Sequence, residues 1–311
     1  MQIMLNQHVP RVSILLTCYQ HMRYLPAALE GVRAQTFRDF EIIAIDDGST
    51  DGAREYLAKQ DDVKVIENQT NLGTYETLNV GLRQARGEFI AVLNDDDLWE
   101  PKKLERQVAL MDAHQEVGLV HTGGHFIDGD GNRTEGNPLG FAFPRFETGD
   151  ILLGLVYENK IIASAALARR TCFDDLGGFN REYFGSGDWE MWFRIAEHWH
   201  VGYVDEPLTM YRVHGANASH KLEKIWRDDT RLREWMAPRL ENLEDRFGPP
   251  EIRRAQAFNQ AALGTVRTLT GNPSSGRQAY ARSIRLNPIR LKSYARYLAT
   301  FLPAATFRKL L

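Results

Sequence analysis

Cysteine is scarce, with only Cys18 and Cys172 in 311 residues. So widely separated a pair does not look like a disulfide framework, and a reducing, cytosolic compartment is the simpler expectation. A run of about 18 apolar residues, the length a membrane-crossing helix needs, is also missing. The nearest approach, Ile151 to Ala168, is interrupted by Glu158, Asn159 and Lys160. The opening MQIMLNQHVPR has neither the basic start nor the apolar stretch of a signal peptide. Internal repeats and low-complexity segments are lacking too. Acidic residues stop at Glu251, after which come eleven Arg and Lys. The net charge of −3 therefore hides a split, because removing those eleven leaves −14 on residues 1–251. A basic tail on an acidic body suggests contact with something anionic. Nucleic acid is a poor fit, since the large body would repel it.

What is present is ordinary for a soluble globular chain: 43% hydrophobic and 25% charged residues, enough for a sizeable core. Short apolar runs alternate with helix-like stretches. Val12–Thr17, Phe40–Asp46, Val63–Glu67, Phe89–Leu93 and Gly118–Thr122 read as strands. Leu25–Ala34, Gly52–Lys59, Thr74–Ala85 and a segment opened by Pro101 read as helices, Pro being tolerated in a first turn. This alternation predicts an α/β fold, a mostly parallel sheet with helices on both faces. Residues 123–149 weaken into Gly, Pro and Asn and read as irregular loop. Ile161–Ala168 and Val201–Val204 are further strand candidates, Trp189–Glu197 a helix. From about Lys221 the pattern is helical, giving a predicted division into 1–219 and 220–311.

Ligands in such sheets sit at the carboxyl ends of the strands, and the polar clusters fall there. Asn94-Asp95-Asp96-Asp97 ends one strand. Three adjacent carboxylates repel unless something positive sits among them. Magnesium or manganese suits hard oxygen ligands and also bridges phosphates; a solvated turn capping the next helix is the plainer alternative. Asp46-Asp47-Gly48-Ser49-Thr50-Asp51 ends another strand. A carboxylate there can accept the N3–H of a uracil or thymine ring, or simply cap the following helix. Tyr19, after the first strand, can stack on a base or serve the core. Asp188, in Gly185-Ser186-Gly187-Asp188-Trp189-Glu190, can act as a general base or as a helix cap. His214, in Tyr211-Arg212-Val213-His214, gains interest only beside a metal.

In order, the segments VSILLTCYQ, QTFRDFEIIAIDDGSTD, NLGTYETLNVGLRQARGEFIAVLNDDDLWEPKKLE, GSGDWEMWFRIA and YRVHGANAS resemble the family-2 glycosyltransferases of the GT-A (Rossmann-like) fold, over roughly residues 10–220. The resemblance implies inverting transfer from a nucleotide-diphosphate sugar to a saccharide or lipid-linked saccharide acceptor. It places Asp47 on the base and Thr17 and Tyr19 around the nucleoside. Asp96 falls on the metal carboxylate, and Asp95 or Asp97 on the sugar or ribose. Asp188 matches the general base and His214 a residue that helps hold metal or diphosphate. Asn94 departs from the pattern, which often has Asp two before Asp96, so the donor phosphates are expected to complete the Mn2+ or Mg2+ site. The Gln/Arg-x-x-Arg-Trp signature of processive members is absent after Asp188, which implies single-sugar addition. Uridine or thymidine is favoured over guanosine through Asp47.

The tail mixes Arg290, Lys292, Arg296, Arg308 and Lys309 with Leu291, Tyr294, Tyr297, Leu298, Phe301 and Leu302. It suits docking on an anionic inner-leaflet surface; packing on the acidic body, across a homodimer, is the alternative. Two other functions stay open on the residues alone. One is a metal-dependent nucleotidyl or phosphoryl transferase, for which TCYQHMRYL supplies little phosphate loop. The other is a non-catalytic sugar-nucleotide-binding scaffold, against which Asp47, Asp96 and Asp188 argue together.

Overall fold

The computed structural model describes residues 8–135, 142–143, 145–159, 161–217 and 220–310. The first strand, β1 (Val12–Cys18), has every residue buried, as an apolar run covered on both faces should be. It pairs in parallel with β2 (Phe40–Asp46) and β4 (Phe89–Asn94), and β2 with β3 (Val63–Glu67). Between them run α1 (Leu25–Arg33), α2 (Ala53–Leu57) and α3 (Thr74–Leu82). Leu25, Ala28, Leu29 and Val32 give α1 one apolar face, buried against the sheet core with Ile14, Leu16 and Leu93.

Beyond β4 the sheet becomes mixed. After a two-residue strand β5 (Leu98–Trp99) and α4 (Lys103–Ala113) comes β6 (Val117–Ile127), about twice the length the apolar run Gly118–Thr122 predicts. The predicted strand over Ile161–Ala168 is instead a 3-10 turn (Ala163–Ala165) followed by β7 (Leu167–Arg169), which inserts antiparallel between β4 and β6. After α6 (Arg170–Leu176) and α7 (Gly187–His198), β8 (His200–Arg212) runs parallel to β6 and antiparallel to β5. The sheet order is β3-β2-β1-β4-β7-β6-β8-β5. The α/β expectation holds; the sheet is mixed, with its all-parallel half at β1–β4. In the turn-rich stretch after β6, Asp128 accepts the amides of Asp130 and Asn132 and turns the chain back. Residues 136–141 and 144, part of the predicted irregular loop, lie outside the described residues.

Two compact units can be distinguished. The first comprises Met1–Ile151, Lys160–Glu182 and Gly187–Gly215. The second comprises Leu152–Asn159, Tyr183–Ser186 and Ala216–Leu311. It holds α5 (Leu152–Tyr157), α8 (Leu222–Glu241), α9 (Glu244–Phe247), α10 (Pro249–Leu269), α11 (Pro273–Leu286), α12 (Leu291–Ala299) and α13 (Ala304–Lys309). Asn272 caps α11 by accepting Ser275 N–H, and Pro273 occupies its first turn. Tyr157 packs its ring on Phe258 at 4.8 Å. Asp228 on α8 accepts the amides of Phe184, Gly185 and Ser186 with one oxygen, at 2.8, 2.7 and 3.2 Å. No described helix is long and apolar enough to cross a membrane.

Candidate active site

Parallel register brings three polar strand ends side by side. Cys18 of β1 lies opposite Asp46 of β2, and Thr17 opposite Asn94 of β4. The chain after each strand therefore leaves from the same rim, as parallel sheets dictate. The predicted clusters at Thr17–Tyr19, Asp46–Asp51 and Asn94–Asp97 do meet there. The Thr17 hydroxyl donates to Asn94 Oδ1 across β1 and β4 at 3.4 Å. Tyr19 is 44% exposed, with its ring available to a ligand.

The three carboxylates after β4 have three different surroundings. Asp95 is buried; its Oδ1 lies 2.8 Å from His21 Nδ1 and its Oδ2 accepts Tyr19 N–H at 2.9 Å. Asp96 Oδ2 lies 3.0 Å from His214 Nε2. Asp97 is fully inside: Oδ2 accepts the Ser164 hydroxyl at 2.5 Å and Oδ1 the Arg212 amide at 2.9 Å. Ser164 Oγ in turn accepts Asn94 N–H at 3.1 Å. So Asp97, one of the two residues for which the resemblance implies a sugar or ribose contact, spends one oxygen on β8 and the other on the 3-10 turn at Ser164, fastening both to the β4 turn. Arg212 adds to this clamp, giving Nε–H to Asp96 O at 2.8 Å and stacking its guanidinium 4.7 Å from the Tyr24 ring. His214, two residues on, is thereby delivered to Asp96.

One ligand atom from each of His21, Asp96 and His214 lies within 4.8 Å of the others. The rings of His21 and His214 meet edge to face, with centroids 5.1 Å apart. Two imidazoles and a carboxylate make a mixed set, the carboxylate suiting hard ions such as Mn2+ or Mg2+ and the imidazoles borderline ones such as Fe2+ or Zn2+. With Nδ1 donating to Asp95, His21 keeps Nε2 free for a metal, the usual arrangement behind a ligating histidine. His21 stands three residues after β1, yet nothing in the sequence alone sets it apart from the chain's other histidines. Burial lifts the Asp95 carboxyl to about 6, with the Asp96 charge adding to it and the His21 bond opposing. Burial, then Asp96, pushes Asp97 well above the carboxylate range. His21 is drawn down by burial, but the bond and charge of Asp95 outweigh that and raise it. The pair thus retains a proton more readily than either group does in water, and a dication nearby would expel it.

Asp47 follows β2, and Asp188 opens α7. Asp47, buried, accepts Asn68 Nδ2–H at 2.9 Å and Leu72 N–H at 2.8 Å on Oδ1, and Gly73 N–H at 3.0 Å on Oδ2. It therefore shapes the loop that opens α3. Asp46 is engaged by Arg54, with Nη2 at 3.0 Å, and by Ser49 N–H. Asp188, in the first turn of α7, accepts the Tyr75 hydroxyl at 3.3 Å and Trp189 N–H at 2.7 Å on Oδ1. That approach requires glycine beside it: a Cβ on Gly187 would lie 2.8 Å from the Tyr75 ring. Tyr75, Arg212 and Ser164 carry no local signal as site residues, because each acts on a partner distant in the sequence and brought near only by folding.

Superposition on solved structures gives GT-A glycosyltransferases. S. aureus TarS 1–349 in complex with UDP-GlcNAc aligns with TM-score 0.59 at 17% identity, over 92% of each chain. The Pyrobaculum calidifontis mannosyltransferase PcManGT, in complex with GDP-Man and Mn2+, aligns with TM-score 0.60 at 19% identity, over 97% of this chain and 84% of that one. In sequence, residues 13–177 match glycosyl transferase family 2, and the chain belongs to that family. The putative glycosyltransferase EpsE of Bacillus subtilis is 33% identical over 211 residues, 65% of this chain and 73% of EpsE. An uncharacterized glycosyltransferase of Nostoc sp. is 30% identical over 228 residues, 67% of this chain and 66% of the relative.

Proposed function

We propose that this glycosyltransferase moves one sugar from a nucleotide-diphosphate sugar, UDP- or dTDP-linked, to a hydroxyl of a saccharide or lipid-linked saccharide, with inversion. The observation that carries the reading is the convergence of His21, Asp96 and His214 on the rim that also bears Thr17, Tyr19 and Asp47. His21, Asp96 and His214 would hold Mn2+ or Mg2+, which neutralises the diphosphate as leaving group. His21 joins the two ligands expected from sequence, and it compensates for Asn94. Tyr19 would stack on the base. Asp47 Oδ2 carries a single N–H and keeps acceptor capacity for a base N3–H. Asp95 orients His21, and Asp97 is assigned a scaffolding role.

Asp188 takes the proton of the acceptor hydroxyl as that oxygen attacks the anomeric carbon, and the sugar–phosphate bond breaks on the opposite face. The Tyr75 hydroxyl donates to Asp188 Oδ1 and so orients the carboxylate for that transfer. Synthesis of a surface polysaccharide or glycolipid at the cytoplasmic face of an anionic membrane is the setting proposed, from the basic tail. The test is nucleotide release from a panel of UDP-, dTDP- and GDP-sugars with and without Mn2+. Asp188→Asn should lower turnover about 10²–10⁴-fold while donor binding persists. Donor binding without turnover in the wild type, across the acceptor panel, would favour a binding scaffold instead.

A further inference from the structure

α12 is built inside out. Its inward contacts are small: Ser293 is fully buried, its Oγ 2.9 Å from Ser283 Oγ, which donates to Ala257 O at 2.7 Å. Its large apolar residues face outward. Leu291 is 78% exposed, Tyr294 40% and Leu298 66%. Steps of three and four place these on one helix face. Ile289 at 86%, Phe301 at 64% and Leu302 extend the exposed set beyond both helix ends. A surface helix ordinarily buries its apolar stripe and shows its polar one. A contiguous exposed apolar patch marks a docking surface.

Charge identifies what docks. Arg282, Arg285, Lys292 and Lys309 are exposed, and none forms an ion pair among the described residues. No acidic side chain follows Glu251 to offset them. A second copy meeting this face about a twofold axis would set the same unpaired cations against one another. An anionic lipid surface satisfies both features, taking apolar side chains into the acyl boundary and cations at the headgroups.

We propose that Leu291, Tyr294, Leu298, Phe301 and Leu302, in a segment whose charged side chains are all basic, form a membrane-insertion face on which α12 lies in the plane of an anionic bilayer. It deepens the membrane setting proposed above and names the part of the chain that makes contact. The full chain should float with phosphatidylglycerol-containing vesicles and not with phosphatidylcholine alone, with binding weakened by salt. Leu291→Ser/Leu298→Ser/Phe301→Ser should reduce that binding at least about tenfold with donor hydrolysis unchanged and the fold retained, since these side chains are mostly in water and only Phe301 makes ring contacts, with Tyr297 and Arg277. If the wild type does not float at low salt, the membrane setting itself fails. If it floats and the triple variant floats equally, the setting stands and the insertion face is overturned. A wild-type dimer that the triple variant dissolves, with no vesicle binding, would assign the face to a second copy and overturn the proposal.

Discussion

Asp95 provides the sharpest test of the metal reading, because it is placed to act through His21. Its Oδ1 is 2.8 Å from His21 Nδ1, and its Oδ2 holds Tyr19 N–H. Asp95→Asn keeps shape and one acceptor but removes the charge. A hydrogen bond to a charged group contributes about 1.5–3 kcal/mol and a neutral one about 0.5–1.5. The loss at His21 is therefore about 1–2 kcal/mol, roughly 5–30-fold in metal affinity, overlapping the roughly 10–100-fold typical for carboxylates behind ligating histidines. Mn2+ titration calorimetry on the protein with UDP present reads this directly. His21→Ala removes the ligand and should lose more than Asp95→Asn. In the wild type, affinity should also fall as pH drops through about 6, where burial lets Asp95 take up a proton; Asp95→Asn should lose part of that dependence. Mn2+ affinity within twofold of wild type for both variants, with the fold intact, would refute the triad of Asp95, His21 and metal.

Other outcomes follow from single contacts. Tyr19→Ala should weaken donor binding by about 1–3 kcal/mol, the worth of one base–aromatic stack, while leaving Mn2+ affinity unchanged; equilibrium dialysis with UDP checks it. Gly187→Ala should displace the Tyr75 ring it nearly touches, destabilise by about 1–3 kcal/mol and lower turnover, whereas Tyr75→Phe should lower turnover alone; thermal melts beside nucleotide-release assays separate the two. His121 is buried with Nε2 unpartnered among the described residues, and burial lowers it from 6.5 to about 3. The unfolded chain takes up that proton below 6.5 and the folded one only near 3, so stability present above 6.5 is lost as pH falls through that window. At pH 5 the loss is about 2 kcal/mol. Urea unfolding at pH 7.5 and 5 should show it, and His121→Phe should remove that share of the pH dependence.

Local pattern alone determined the parallel half of this protein. VSILLT, FEIIAID and FIAVL are too apolar to face water on either side, so they must be central strands, and parallel strands send their following loops to one rim. That pattern suffices to gather Thr17, Tyr19, Asp47 and Asp96. The motifs around Asp188 and His214 mark those two residues but contain no route to the rim. Only the tertiary structure supplied the route for His214, and it ties Asp188 to Tyr75 at the start of α3. β7 enters antiparallel between β4 and β6, β8 runs on to Arg212, and the Asp97–Arg212 clamp carries His214 to Asp96. Pairings over such separations leave no local periodicity, because register is fixed by long-range hydrogen bonds. The division of labour among Asp95, Asp96 and Asp97 is equally a tertiary matter. Three identical side chains in a row differ only in what each one faces, and the packed strands around the turn decide that.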